Sequence, residues 1–159
     1  ADEVRPMGRT ASGVKGIDLG PDTYTVGATT SREGEFIFAI TEKGYGKLSS
    51  YEDYRQTKRG AKGVATLKAT DKVGKLFTVR AVSGDEDVMV ITSGGVVIRT
   101  SFEQVRVAGR NTQGVKIINL EGRQKVASIA IVEHDDSPEE DENIESEEVV
   151  EENNSETNE

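Results

Sequence analysis

Apolar residues in this chain come in short runs separated by glycine, and the runs recur in the same order. GEFIFAIT, residues 34–41, is a strand-length apolar stretch, a turn at Lys43-Gly44 follows, and YGKLSS, 45–50, runs back. GVATLK (63–68) and GKLFTVRAV (74–82) alternate apolar and polar positions, the period of a strand with one face buried. The same order returns in DVMVIT (87–92), VVIRTS (96–101), GVKIINL (114–120) and KVASIAIV (125–132). Only SYEDYRQ, from Ser50, reads as a helical turn. Four short strands per fifty residues, punctuated by Gly, is the count of a propeller blade.

The recurrence extends to residue identity. Residues 40–64 align without a gap on 91–115, at an offset of 51, with nine of 25 positions identical. MGRTASGVKGIDL (7–19) aligns with AGRNTQGVKIINL (108–120), so Gly13-Val14, Gly63-Val64 and Gly114-Val115 mark one position in three successive units. A fixed period of this size means stacked supersecondary units, each burying its apolar face against a neighbour. The units divide as the end of one (1–30), a full second (31–81) and a full third (82–132). Such a series is a partial ring and reads as part of a longer chain.

Charge divides the 159 residues differently. Residues 1–132 hold all 20 Lys and Arg against 15 Asp and Glu, a net of +5. Residues 133–159 hold 14 Asp and Glu and no Lys or Arg, a net of −14. The whole-chain charge of −9 therefore conceals a basic body and an acidic tail. The tail has dense like charge and no apolar period, which predicts disorder. Tethered to a basic body, it is expected to compete for the cations there. There is no Cys, which excludes disulfides and thiolate metal sites. The absence of an 18-residue apolar run excludes a spanning helix.

The basic residues gather at the recurring glycines. YRQTKRGAKGV, 54–64, places Arg55, Lys58, Arg59 and Lys62 around two glycines. Arg9, Arg59 and Arg110 occupy equivalent positions, with Arg55 and Arg106 four residues before the latter two; Lys15 and Lys116 follow the recurring Gly-Val. Glycine lets backbone approach a ligand, and Arg and Lys give charge-assisted bonds to phosphate. Around an axis these positions would form a rim of cations suited to a polyanion. The plainer alternative is that the Gly-Arg turns are structural.

Other chemistry is weak. His134, the only His, reads as a solvated surface residue rather than a ligand, and Asp85-Glu86-Asp87 as a polar hairpin loop. GYGK (44–47) lacks the upstream Gly and downstream Ser or Thr of a phosphate-binding P-loop. Tyr51 and Phe102 share a repeat position and read as blade packing rather than base-stacking aromatics. No catalytic or metal-binding set is visible.

These blades resemble the C-terminal domain of the A subunits of DNA gyrase and, more distantly, of topoisomerase IV. The resemblance rests on Ile40-Thr41, Gly44-Tyr45-Gly46-Lys47, the Arg59-Gly60-Ala61-Lys62-Gly63-Val64 loop, and Met7-Gly8-Arg9 with Gly13-Val14-Lys15-Gly16-Ile17. It covers residues 1 to about 132. Gln56 to Gly63 is similar to the gyrase signature box Q-R-R-G-G-K-G, with an inserted residue and Ala61 for Gly; it reads as a degenerate copy. The resemblance implies an all-β pinwheel, a propeller-like disc whose blades exchange strands and whose basic perimeter wraps duplex DNA. It implies Arg9, Lys15, Arg55, Lys58, Arg59, Lys62, Arg106, Arg110 and Lys116 as DNA contacts. It further implies a cytoplasmic, nucleoid-associated enzyme that introduces negative supercoils, an A2B2 assembly in which this chain joins the B subunit plus the rest of the A subunit. The catalytic tyrosine, ATP and Mg2+ would then belong to parts outside this chain. The alternatives are the C-terminal domain of a topoisomerase IV A subunit and a propeller-type protein-interaction module.

Overall fold

The structure is a computed structural model and describes residues 4–135; the expected tail disorder concerns residues that lie, from 136 onward, outside the described ones. The described chain is all-β, with no α-helix. Its strands are β1 (Phe36–Thr41), β2 (Tyr45–Ser50), β3 (Leu76–Val82), β4 (Asp87–Thr92), β5 (Val97–Ser101), β6 (Val115–Lys116) and β7 (Val126–Val132). They form two antiparallel sheets of order β3-β1-β2-β6 and β5-β4-β7.

The repeat in sequence is a repeat in geometry. β1 pairs with β2 from Phe36 opposite Ser50, and β4 with β5 from Asp87 opposite Ser101. The central strands bulge at the same place, between Ile40 and Thr41 and between Ile91 and Thr92. Each hairpin is closed by the same device. The Thr41 hydroxyl accepts from the Tyr45 N–H (3.2 Å), and the Thr92 hydroxyl from the Val96 N–H (3.1 Å). Gly44 and Gly95 supply the left-handed residue at φ +79° and +81°. The expected helical turn is a 3-10 turn, Tyr51–Asp53, matched by Phe102–Gln104; Ser50 and Ser101 cap them.

The apolar core is continuous across both sheets. Phe38, Ile40 and Leu48 pack with Val88, Val90, Phe102 and Ile118. Phe102 meets Phe38 edge to face, with ring centroids 4.9 Å apart. Its repeat equivalent Tyr51 is only half-buried and donates its hydroxyl to the Thr30 carbonyl. Phe102 is thus a core packing residue, whereas Tyr51 is placed by its hydroxyl hydrogen bond.

The structure corrects several expectations. GVATLK (63–68) forms no strand, and GVKIINL (114–120) pairs only at β6. β6 lies beside β2 of the preceding unit, whereas no described strand lies beside 64–65, its equivalent. Alternation thus marks a segment fit to pair, but the partner comes from another unit. Asp87 is not in a loop: it opens β4 and is buried. Nor is His134 merely solvated, because its Nδ1 lies 2.6 Å from Asp87 Oδ1. Arg99 Nε lies 2.6 Å from the other carboxylate oxygen and Arg99 also donates to the Glu133 carbonyl.

The His134 hydrogen bond, helped by Arg99, holds the Asp87 carboxyl below its usual pKa against the opposing effect of burial. A carboxylate depressed on folding stabilises the fold above its unfolded value, about 4, and loses that contribution as pH falls through the lower folded value. Urea unfolding of wild type and Asp87→Asn should therefore differ at pH 6 and converge in acid below about pH 4. A gap that persists unchanged to pH 2 would show that the carboxylate charge is not the stabilising element.

Candidate nucleic-acid interface

The outer edge of β2 carries the basic loop of the following unit. The Leu48 N–H donates to the Arg106 carbonyl (3.3 Å), and the Leu48 carbonyl accepts from Ala108 (2.8 Å). This is a parallel bridge from Leu48 to Val107. The chain leaves, turns, and returns antiparallel as β6, with Gly46 opposite Val115 and Tyr45 opposite Lys116. Ile117 then donates to the Gly44 carbonyl at 2.8 Å. Residues 109–114 are thus a loop pinned at both ends by one strand of another unit.

Two β2 side chains fasten it further. Lys47 is fully buried, and its ammonium donates to the carbonyls of Gly109 (2.7 Å) and Arg110 (3.0 Å). The Ser49 hydroxyl donates to the Ala108 carbonyl at 2.8 Å. Burial pushes the Lys47 pKa down, with Arg110 adding to the effect and Asp53 opposing it. A buried ammonium is tolerated only with such acceptors. Gly114 is required on two counts: its φ is +78°, and a Cβ there would lie 2.5 Å from the Gly46 carbonyl oxygen.

Successive loops are tied to one another by the same bond. Asp18 donates its N–H to the Ala61 carbonyl (2.9 Å), and Lys68, the equivalent residue, to that of Thr112 (3.0 Å). Gly13, Gly63 and Gly114 share one backbone conformation, φ +78°, +75° and +78°. The three loops therefore stand in sequence, each beside the next.

Arg9, Lys15, Arg55, Lys58, Arg59, Lys62, Arg106 and Lys116 are exposed on or next to these loops, and Arg110 is half-buried. Arg110 donates to the Ala65 carbonyl (3.0 Å) of the neighbouring loop and lies 5.9 Å from the Tyr54 ring centroid. This arginine accordingly has a structural share. Lys15 pairs with Asp18, an exposed contact that contributes little. The Lys116 ammonium lies 5.8 Å from the Tyr45 ring centroid. Sequence reading missed Lys47 and Ser49 as the loop's fasteners. The available signal was a lysine in the middle of a strand-length run. The loops present exposed cations, groups that give charge-assisted hydrogen bonds to anions. Among the described residues no group of three or more His, Cys, Asp or Glu could hold a metal ion.

The model of the DNA gyrase C-terminal domain, a beta-propeller, matches residues 1–29, 35–83 and 86–133. The DNA gyrase A subunit of Ureaplasma parvum serovar 3 is 52% identical over 130 residues, covering 82% of this chain and 16% of that protein. The gyrase A subunit of Metamycoplasma arthritidis is 48% identical over 136 residues, covering 85% and 15%. The chain thus spans about a sixth of the length of these relatives. Among solved structures, a DNA gyrase A C-terminal domain superposes with a TM-score of 0.74 at 25% identity, covering 82% of this chain and 44% of that one. The C-terminal domain of DNA topoisomerase IV gives 0.72 at 22% identity, covering 82% and 41%, and shares the fold.

Replacing Lys47 with Met keeps the bulk and removes both ammonium bonds, leaving two loop carbonyls without their donor. The cost should be about 1–3 kcal/mol in urea unfolding. The exposed Lys58→Met should stay within about 0.5 kcal/mol of wild type. Equal effects of the two would remove Lys47 from its role.

Proposed function

The chain belongs to the DNA gyrase C-terminal domain family, and from that premise we propose that it is part of the DNA-wrapping domain of a gyrase A subunit. The repeated backbone tie between loops carries this reading. It sets three cation-bearing loops in a row, so that a polyanion can pass from one to the next. Duplex DNA is a dense line of phosphate charge, and neutralising it releases counterions. Contacts confined to the backbone read little sequence directly. A curved line of such contacts favours DNA that bends easily.

In this reading the chain binds and curves duplex DNA, and the strand-passage chemistry of a type II topoisomerase is done elsewhere. ATP, Mg2+ and the catalytic tyrosine would be held by the B subunit or by the remainder of the A subunit, in an A2B2 enzyme of the bacterial cytoplasm. The tyrosines of this chain sit within or beside the blades and take no step in that chemistry. Identities of 52% and 48% to gyrase A subunits support gyrase over topoisomerase IV. The bond from Arg110 to Ala65 supports a structural contribution from that arginine beside its charge.

Duplex binding should weaken linearly in log–log terms as salt rises, on any sequence. Arg59→Ala should reduce the slope by about 1. Arg110→Ala should do the same and also lower stability, because it breaks the contacts to Ala65 and Tyr54. A flat salt response in fluorescence-anisotropy titrations would contradict DNA wrapping by this chain.

A further inference from the structure

A second basic site adjoins the Gly-Arg loop 109–114 and shares Lys116 with it. Where the β1–β2 turn of one unit meets the 116–125 connection of the next, a cleft of about 520 Å³ opens. Five cations line it, Lys43, Lys72, Lys116, Arg123 and Lys125, around Tyr45, and no carboxylate does. All five are exposed. Strand exchange builds the cleft: Ile117 bonds the Gly44 carbonyl, and Val126 bonds that of Glu42 (2.9 Å). Ile118, buried, lies against Gly44 and forms part of the lining.

The five cations are not equally engaged. Lys125 pairs with Glu42 at 2.8 Å, and Lys43 donates to the Asp71 carbonyl. Lys72, Lys116 and Arg123 form no ion pair among the described residues. The ammoniums of Lys72 and Lys116 instead lie 5.9 Å and 5.8 Å from the centroid of the Tyr45 ring. Such contacts place an ammonium without neutralising it. Like charges held together without a counterion repel, and an anion relieves that repulsion. Lys116 also stands on β6, directly after the loop 109–114. A polyanion lying on that loop meets this cleft next.

We infer that the cleft around Tyr45 is an inter-blade phosphate site that takes consecutive phosphates of a DNA strand leaving the Gly-Arg loop. This inference rests on DNA being the ligand of the loops. The test uses the full chain, a mixed-sequence duplex, and inorganic tripolyphosphate as a second probe. Lys72→Ala/Arg123→Ala changes two exposed residues outside the Gly-Arg loops, and circular dichroism verifies the fold. The double variant should reduce the salt slope by about 1.8, at about 0.9 per phosphate contact. NMR signals of the Tyr45 ring should move on adding duplex.

An unchanged slope in the double variant, with Arg59→Ala still reducing it, overturns the cleft and leaves the loop reading standing. Absence of duplex binding by wild type at low salt overturns both. If tripolyphosphate moves the Tyr45 signals and duplex does not, the cleft serves free phosphate and the DNA assignment fails. If deleting residues 136–159 moves those signals without DNA, the cleft is filled by the chain's own carboxylates, and the assignment fails as well.

Discussion

The fold depends on one exchange: β2 gives its outer edge to residues 106–117 of the next unit. An edge strand presents a row of unpaired N–H and C=O groups. Here that row is taken up by the bridge at Leu48, by β6 and by the Ile117 N–H, which donates to the Gly44 carbonyl. The core follows from the exchange, since Ile118 enters the apolar cluster and Phe102 covers Phe38. The loop follows as well, because a segment held at both ends by β2 must project between them. β5 is the equivalent strand of the next unit, and among the described residues no strand lies along its outer edge. Val97 and Ile98 stand where β2 has Gly46 and Lys47, and Val96 and Val97 are about half exposed.

Much of this was legible from pattern. The fifty-residue period, the hairpins, the hairpin glycines and the short helical turn all follow from local chemistry, which acts within one unit. What alternation could not show is which strand pairs with which. Val64 and Val115 sit in matching sequence contexts, yet only Val115 forms a strand, because only it has β2 beside it. Asp87 misled for a related reason. An acidic run reads as a loop until Arg99 and His134, 12 and 47 residues away, are seen to satisfy it.

The cations were legible by position and not by state. Repeat alignment places Arg9, Arg59 and Arg110 together, and the geometry gives Arg110 a hydrogen bond to Ala65 and a cation–π contact with Tyr54 that the alignment does not contain. Lys47 was the reverse case, a cation within a motif whose charge is spent on holding backbone rather than on any ligand. Basic residues of these blades therefore divide into those that build the loops and those that are exposed on or beside them. Burial and partners, rather than sequence position, separate the two.

Native-state amide hydrogen exchange tests the strand exchange most directly. The Ala108 and Ile117 amides are bonded to the carbonyls of Leu48 and Gly44 in another unit. Strand exchange predicts that both open together with the β1–β2 amides, in one cooperative step at the free energy of global unfolding. Exchange of Ala108 and Ile117 at the rate of an exposed loop, with β1 and β2 still protected, would contradict it.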